Sequence, residues 1–200
     1  MALSKGKRLI LLGLALVVLD QVVKVLVKTN MTLGQQIPVI GQWFRLCFVE
    51  NEGMAFGMKF GGMVGKFLLS FFRICLCGLL VWWISSMVKK KSAPTGVLVG
   101  LTLITAGAFG NIIDCLFYGL IFDESTFTTV ATLGGQYAGF MFGKVVDMFY
   151  FPIIRSGEKV IFFSPVFNFA DSCVTVGAFY LILFKWKWFS QVGEKKEISE

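Results

Sequence analysis

Asp20, Asp114, Asp123, Asp147 and Asp171 are the five aspartates of this 200-residue chain, and each sits in or beside a long apolar segment. An ionisable group close to hydrocarbon is costly to keep, so several at one depth point to a functional site or to specific pairing. Two carboxyls confined together repel each other, which raises one pKa and leaves one group protonated beside one ionised. The ionised partner can take a proton from water as it attacks a carbonyl, and the protonated one can donate to the developing oxyanion or the leaving amine. Such chemistry requires neither a metal nor an organic cofactor. The chain has no His, which excludes Ser-His-Asp and Cys-His arrangements and removes the commonest zinc ligand. No acidic loop has the spacing of a calcium-binding EF-hand.

The elements that must position these groups are apolar helices. The composition is 56% hydrophobic with 22 Phe and only 16% charged residues, unlike a soluble domain of this size. Crossing about 30 Å of hydrocarbon takes roughly 20 residues, and four runs qualify: 9–27, 67–88, 96–113 and 165–184. Residues 1–200 are therefore expected to form one polytopic membrane domain. Lys5, Lys7 and Arg8 precede the first run, Lys89, Lys90 and Lys91 follow the second, and Lys185, Lys187, Lys195 and Lys196 follow the fourth. By the positive-inside rule both termini are cytoplasmic and segments 28–66 and 114–164 face outward. The net charge of +7 thus reads as topology and attraction to anionic lipid, not as nucleic-acid binding. The basic start and apolar residues 9–19 imitate a secretory signal, but the pattern continues past Asp20 to Val27 with no small-residue cleavage site, so a retained helix is expected.

With the first run directed outward, Asp20 falls in its outer half, Asp114 at the outer end of the third run, Asp171 in the first turns of the fourth, and Asp147 in the outer loop between. Asp20 and Lys24 are four apart on one helix face, the spacing of an intrahelical ion pair. For Asp171, helix capping is the plainer role. Residues 37–50 alternate in the manner of a strand pair, with Pro38 and Gly41 as turn signals, and predict a small outer sheet against the bilayer. Thr126 to Gly143 is rich in Gly and Thr and reads as a mobile loop. Of the five cysteines, Cys47 and Cys115 share the outer side and are candidates to pair, while Cys75 and Cys77 point apart on a helix and read as packing. Gly96, Gly100, Ala106 and Gly110 make small-residue patterns for helix packing. From these residues alone two other classes stay open. One is a transporter with a polar path through Asp20, Lys24 and Asp114; the other is a hydrolase with Lys24 as base and Ser70 or Ser172 as nucleophile.

Five motifs occur in order: Asp20-x-x-x-Lys24, Asn51-Glu52-Gly53-Met54-Ala55-Phe56-Gly57, Gly110-Asn111-Ile112-Ile113-Asp114, Val145-Val146-Asp147-Met148-Phe149, and Phe167-Asn168-Phe169-Ala170-Asp171. Together they closely resemble the lipoprotein signal peptidases, the type II signal peptidases of bacteria. The resemblance implies a membrane all-α core of four transmembrane helices with a small extracytoplasmic β-cradle and a periplasmic helix or loop. It also implies an aspartyl endopeptidase of the bacterial inner membrane, acting at the periplasmic side without a cofactor or metal. The implied substrate is a diacylglyceryl-modified prolipoprotein, cut just before the lipidated cysteine, with membrane lipids as the other partner and a monomer as the working form. Asp147 and Asp171 map to the catalytic pair. Asp20, Lys24, Asn51, Gly53, Asn111, Asp114, Asn168 and Ala170 map to substrate-binding or supporting positions.

The chain departs from the family pattern twice. Cys115 stands where the family usually has Arg, and Lys144 or Arg155 is a candidate replacement for that cation. An apparent insertion between Gly119 and Gly143 separates Asp147 from Asp114 and makes Asp123, at the closer spacing, a rival. Asp147 remains the better motif match, and the Gly- and Thr-rich insertion is expected to act as a lid.

Overall fold

The computed structural model describes residues 3–52, 62–156, 159–162 and 165–197. Four helices are long and apolar enough to cross a membrane: Lys5–Asn30, Gly62–Lys90, Thr95–Ile121 and Phe169–Gln191. Helix α1 (Lys5–Asn30) is capped by Ser4, whose hydroxyl accepts the Lys7 N–H. Large apolar side chains on the helices remain exposed, among them Leu14 at 57%, Phe72 at 62% and Leu183 at 68%. Such surface has no place in water and suits a lipid solvent. Helix α2 (Gly62–Lys90) closes in a Schellman turn: Lys91 takes a φ of 50°, its N–H reaches Val88 O and the Ser92 N–H reaches Met87 O. That geometry satisfies the last carbonyls, and Pro94 then opens helix α3 (Thr95–Ile113).

Helix α3 is the hub, packed on α1, on α2 and most extensively on α5 (Phe169–Glu197). Gly100 and Gly107 make the closest approach possible. A Cβ at Gly100 would meet Leu181 Cδ2 at 2.6 Å, and one at Gly107 would collide with the Ala170 carbonyl and with Val174 Cγ2 at 2.8 Å. The small-residue stripe is thus a packing surface, as expected. At its C-terminal end α3 passes through a π-helical turn, Asp114–Tyr118, into the short α4 (Gly119–Ile121).

The segments between α1 and α2 and between α4 and α5 build two small sheets. A four-stranded antiparallel sheet has the order β1-β2-β3-β6, with β1 Gln36–Ile40, β2 Phe44–Asn51, β3 Val145–Tyr150 and β6 Val166–Phe167; β4 (Ile154–Ser156) and β5 (Lys159–Phe162) form a separate hairpin. The expected pair over 37–50 is the β1–β2 hairpin, and Phe44 stacks on Phe151 at 4.6 Å. Across β2 and β3, Val49 faces Asp147, Glu50 faces Val146 and Asn51 faces Val145. Beneath the sheet, Phe48, Val146 and Met148 pack with Val27, Met31, Tyr118 and Phe122.

Two expectations need correction. The fourth helix does not begin at Pro165: Val166 and Phe167 pair with Tyr150 and Phe149, and the helix starts only after Asn168, which caps it. Nor is the insertion free of the body. The Met141 N–H binds Leu116 O, the Gly143 N–H binds Cys115 O, and the Leu33 N–H from the α1–β1 turn binds Thr126 O. These backbone bonds strap it down, which removes the basis for reading it as a mobile lid. Cys47 and Cys115 are both buried as free thiols, so the structure does not pair them.

Candidate active site

The first residue of the site is a cap. Asn168 Oδ1 accepts the Asp171 N–H at 2.8 Å, and Asp171 Oδ2 accepts the Asn168 N–H at 3.3 Å. This reciprocal pair satisfies orphan amides at the start of α5. Asp171 therefore does cap the helix, and that role fixes its carboxylate where further groups converge. Its other oxygen, Oδ1, accepts from Asn111 Nδ2 on α3 at 2.8 Å.

Asn168 is fully buried and its amide nitrogen bridges two elements, donating to Asp147 Oδ1 at 2.7 Å and to Asn111 Oδ1 at 3.1 Å. Asp147 comes from β3 and is 3% exposed; Asn51 Nδ2 reaches its second oxygen at 3.4 Å. Burial first, and the charge of Asp171 second, push the Asp147 carboxyl up to about 7. The bonds from Asn168 and Asn51 and the charge of Lys24 act in the opposite direction. The two aspartates named from the motifs are thus joined through the amides of Asn168 and Asn111.

Lys24 decides how those amides point. Its ammonium, wholly buried, donates to Asn111 Oδ1 at 2.7 Å and lies 3.0 Å from Asp20 Oδ2 and 2.7 Å from Asp114 Oδ2. An ammonium only donates, so the Asn111 oxygen must face it and the Asn111 nitrogen must face Asp171. The predicted Asp20–Lys24 pair is present, with Asp114 as a third member.

Each flanking carboxylate then holds a backbone amide of a site-bearing element. Asp20 Oδ1 accepts the Ala170 N–H at 2.9 Å, and Asp114 Oδ2 accepts the Val146 N–H at 3.3 Å. Gly110 leaves room for this, because a Cβ there would stand 2.5 Å from Asp20 Oδ2. Gln21, which the motifs did not single out, donates to Asp20 Oδ2, Gly110 O and Asp114 Oδ1 and accepts from Tyr118. Its signal was only its place beside Asp20.

Of the predicted residues, Asp20, Lys24, Asn51, Asn111, Asp114, Asp147, Asn168, Ala170 and Asp171 form one connected network, while Gly53 lies outside the described residues. Asp123 does not join it. Both its oxygens are taken by Thr132, whose N–H and hydroxyl hold the exposed carboxyl below the usual range. Lys24 bound by two carboxylates is no free base, and Ser172 donates to Asn168 O at 3.0 Å. A Ser-Lys arrangement through these residues has no geometric support. The cation facing Cys115 is Arg73 of α2, with Nη1 3.9 Å from the sulfur; Lys144 instead pairs with Glu50 and Glu124, and the Arg155 side chain lies outside the described atoms. Among the described residues no group of three or more His, Cys, Asp or Glu side chains is placed to hold a metal.

Residues 12–187 match the family model of signal peptidase (SPase) II. The lipoprotein signal peptidase of Porphyromonas gingivalis is 44% identical over 193 residues, covering 90% of this chain and 84% of that protein. Its counterpart in Amoebophilus asiaticus is 35% identical, covering 94% of this chain and 82% of the relative. A solved bacterial membrane enzyme superposes with a TM-score of 0.64 at 26% identity, covering 92% of this chain and 91% of its own.

Proposed function

Because the chain belongs to the signal peptidase II family, we propose that Asp147 and Asp171 are the catalytic pair of its peptidase activity. The protein is a bacterial membrane peptidase that removes signal peptides from prolipoproteins. The observation that carries the assignment is the amide bridge, in which Asn168 touches both carboxyl-bearing residues and Asn111 binds Asp171.

Both Asp171 oxygens already accept N–H groups, Oδ1 from the Asn111 side chain and Oδ2 from the Asn168 backbone. Asp147 is buried, has a strong donor on one oxygen only, and is pushed up to about 7, so it keeps the shared proton. Asp171 then draws a proton from water as the water attacks the scissile carbonyl, and Asp147 gives its proton to the oxyanion or the departing amine. The pair titrates as a unit. Lys24, Asp20 and Asp114 act one layer behind, fixing Asn111, the first turn of α5 and β3. Asn51 supports Asp147 directly.

The substrate is a diacylglyceryl-modified prolipoprotein, cut just before its lipidated cysteine. Its acyl chains stay in the bilayer beside the apolar helix faces. The lysine-rich ends of α1, α2 and α5 lie opposite the aspartates along the chain's course, which supports cytoplasmic termini and a site on the outer side. Both aspartates come from one chain, consistent with a working monomer.

The test is cleavage of a diacylglyceryl-modified prolipoprotein peptide in detergent by wild type and by folded Asp147→Asn, Asp171→Asn and Asp123→Asn variants. Loss in the first two with retention in the third supports the pair; retention in either of the first two refutes it.

A further inference from the structure

One turn beyond Lys24 on α1, Lys28 is also wholly buried, and its polar partners lie apart from the network that joins Asp147 and Asp171. Its ammonium binds the Glu50 carboxylate on β2 and the Ser125 hydroxyl at 2.8 Å, and Ser125 in turn donates to Glu50 Oε1 at 3.0 Å. Lys144, at the threshold of β3, reaches Glu50 Oε2 at 3.3 Å. Tyr137 lies under both cations, 4.9 Å from Lys28 Nζ and 5.5 Å from Lys144 Nζ, and its hydroxyl accepts the Lys144 backbone N–H at 2.7 Å. One carboxylate thus collects α1, β2, the 122–143 segment and the start of β3.

Ions are expensive to bury, and the reaction as derived uses none of these. Their value lies in what adjoins them. Glu50 precedes Asn51, and Lys144 precedes Val145, the residue that Asn51 faces across the ladder. The β2–β3 pairing is irregular between Leu46 and Val49, and such an irregularity interrupts the ladder locally and bends the strand that carries it. A satisfied buried network rigidifies the elements it joins.

We propose that Lys28, Glu50, Ser125 and Lys144 form an ionic clamp by which the 122–143 segment locks β2 to β3, making Lys28 and Glu50 positioning residues that aim Asn51 at Asp147. The role presupposes that Asp147 and Asp171 are the catalytic pair. It replaces a lid with a strut: the segment is anchored so that the amide behind the acid stays in place. Asp147 is faced by Asp171 and Asn168 from α5 and its cap, by Lys24 from α1 and by Asn51 from β2. Loosening Asn51 removes one of the groups that favour the ionised form.

Glu50→Gln, Ser125→Ala and the neutral pair Lys28→Met with Glu50→Gln test the clamp, the last two because Glu50→Gln alone strands a buried cation. Expected is a fall in kcat of roughly tenfold or more with KM little changed. The alkaline limb of the pH profile should move upward, toward that of Asn51→Ala, and Asn51→Ala combined with Glu50→Gln should lose little more than either alone. Folded variants with wild-type kcat and an unmoved limb overturn the proposal, as does lowered stability with an unchanged limb. Amide hydrogen exchange over residues 48–51 and 145–150 gives a reading independent of activity. Faster exchange in the variants is expected, and unchanged protection refutes the clamp. A wild type that cleaves nothing, or an active Asp147→Asn, instead removes the catalytic assignment while the exchange still decides the clamp.

Discussion

Replacing Asp147 by Asn should abolish cleavage and, at alkaline pH, make the protein more stable. The Asp147 carboxyl is moved from an ordinary 3.8 to about 7, first by burial and then by Asp171. This is an acid whose folded pKa lies above its unfolded one, so between those values the folded state holds more protons, and stability falls as pH rises through that window. Above about 7 the whole penalty is in force; below about 4 it is gone. At about 1.36 kcal/mol per pH unit, the interval corresponds to roughly 4 kcal/mol as an upper bound. The Asn variant keeps an oxygen for Asn168 but turns an amide nitrogen toward Asn51, sacrificing a bond worth about 1 kcal/mol. A net gain of about 3 kcal/mol near pH 8 is therefore expected, crossing zero as pH falls and becoming a loss of about 1 kcal/mol below about pH 4, where only the missing bond is left. Unfolding of both proteins in the same detergent across this range measures it. An Asn variant no more stable than wild type near pH 8, or a difference that ignores pH, would refute the argument that Asp147 is a strained, proton-holding acid.

Three further outcomes follow from the same geometry. The kcat/KM of the wild type should decline as pH rises through about 7, where the pair loses its shared proton, and a profile flat to about pH 9 would contradict this. Lys24→Met leaves Asp20 and Asp114 buried without their cation and should cost about 3–5 kcal/mol; adding Asp20→Asn and Asp114→Asn should restore folded protein in a thermal melt but not activity, since Asn111 is no longer oriented. Gly107→Ala drives a Cβ into the Ala170 carbonyl and should destabilise by about 1–3 kcal/mol, with activity lost in step with the α3–α5 contact; wild-type melting and turnover would show that the helices part easily.

The apolar runs made the four helices legible, because hydrocarbon thickness sets a length that composition alone reveals. Helix ends were less so: Asn168 stops the apolar run near Pro165 from being helix, since an Asn with Asp three residues on is a cap in its own right. The Asp20–Lys24 pair could be read from its spacing. What could not be read was that Lys24 also reaches Asp114 and Asn111, since those contacts join α1 to α3 and have no periodicity. Lys28 and Glu50 escaped notice for a related reason. A Lys at a helix end and a Glu in a strand look like solvated surface until a third segment, with Ser125 and Tyr137, covers them. The Gly and Thr content that suggested mobility instead supplies tight turns and side-chain bonds, as in the Thr126 hydroxyl bound by the Thr128 and Thr129 amides.

The bond from the Ala170 N–H to Asp20 joins residues 150 apart in sequence, and it also orders events during synthesis. Helix α1 leaves the ribosome before α5, so the carboxylate that receives the first turn of α5 is made well before that turn exists. Until α5 enters the membrane, Asp20 and Lys24 have each other, Gln21, Asn111 and Asp114 as partners, and Asp147 has no Asn168 to hold it. A growing chain therefore carries one aspartate of the pair without the other. On the catalytic assignment proposed above, the pair is assembled only when α5 docks against α1 and α3.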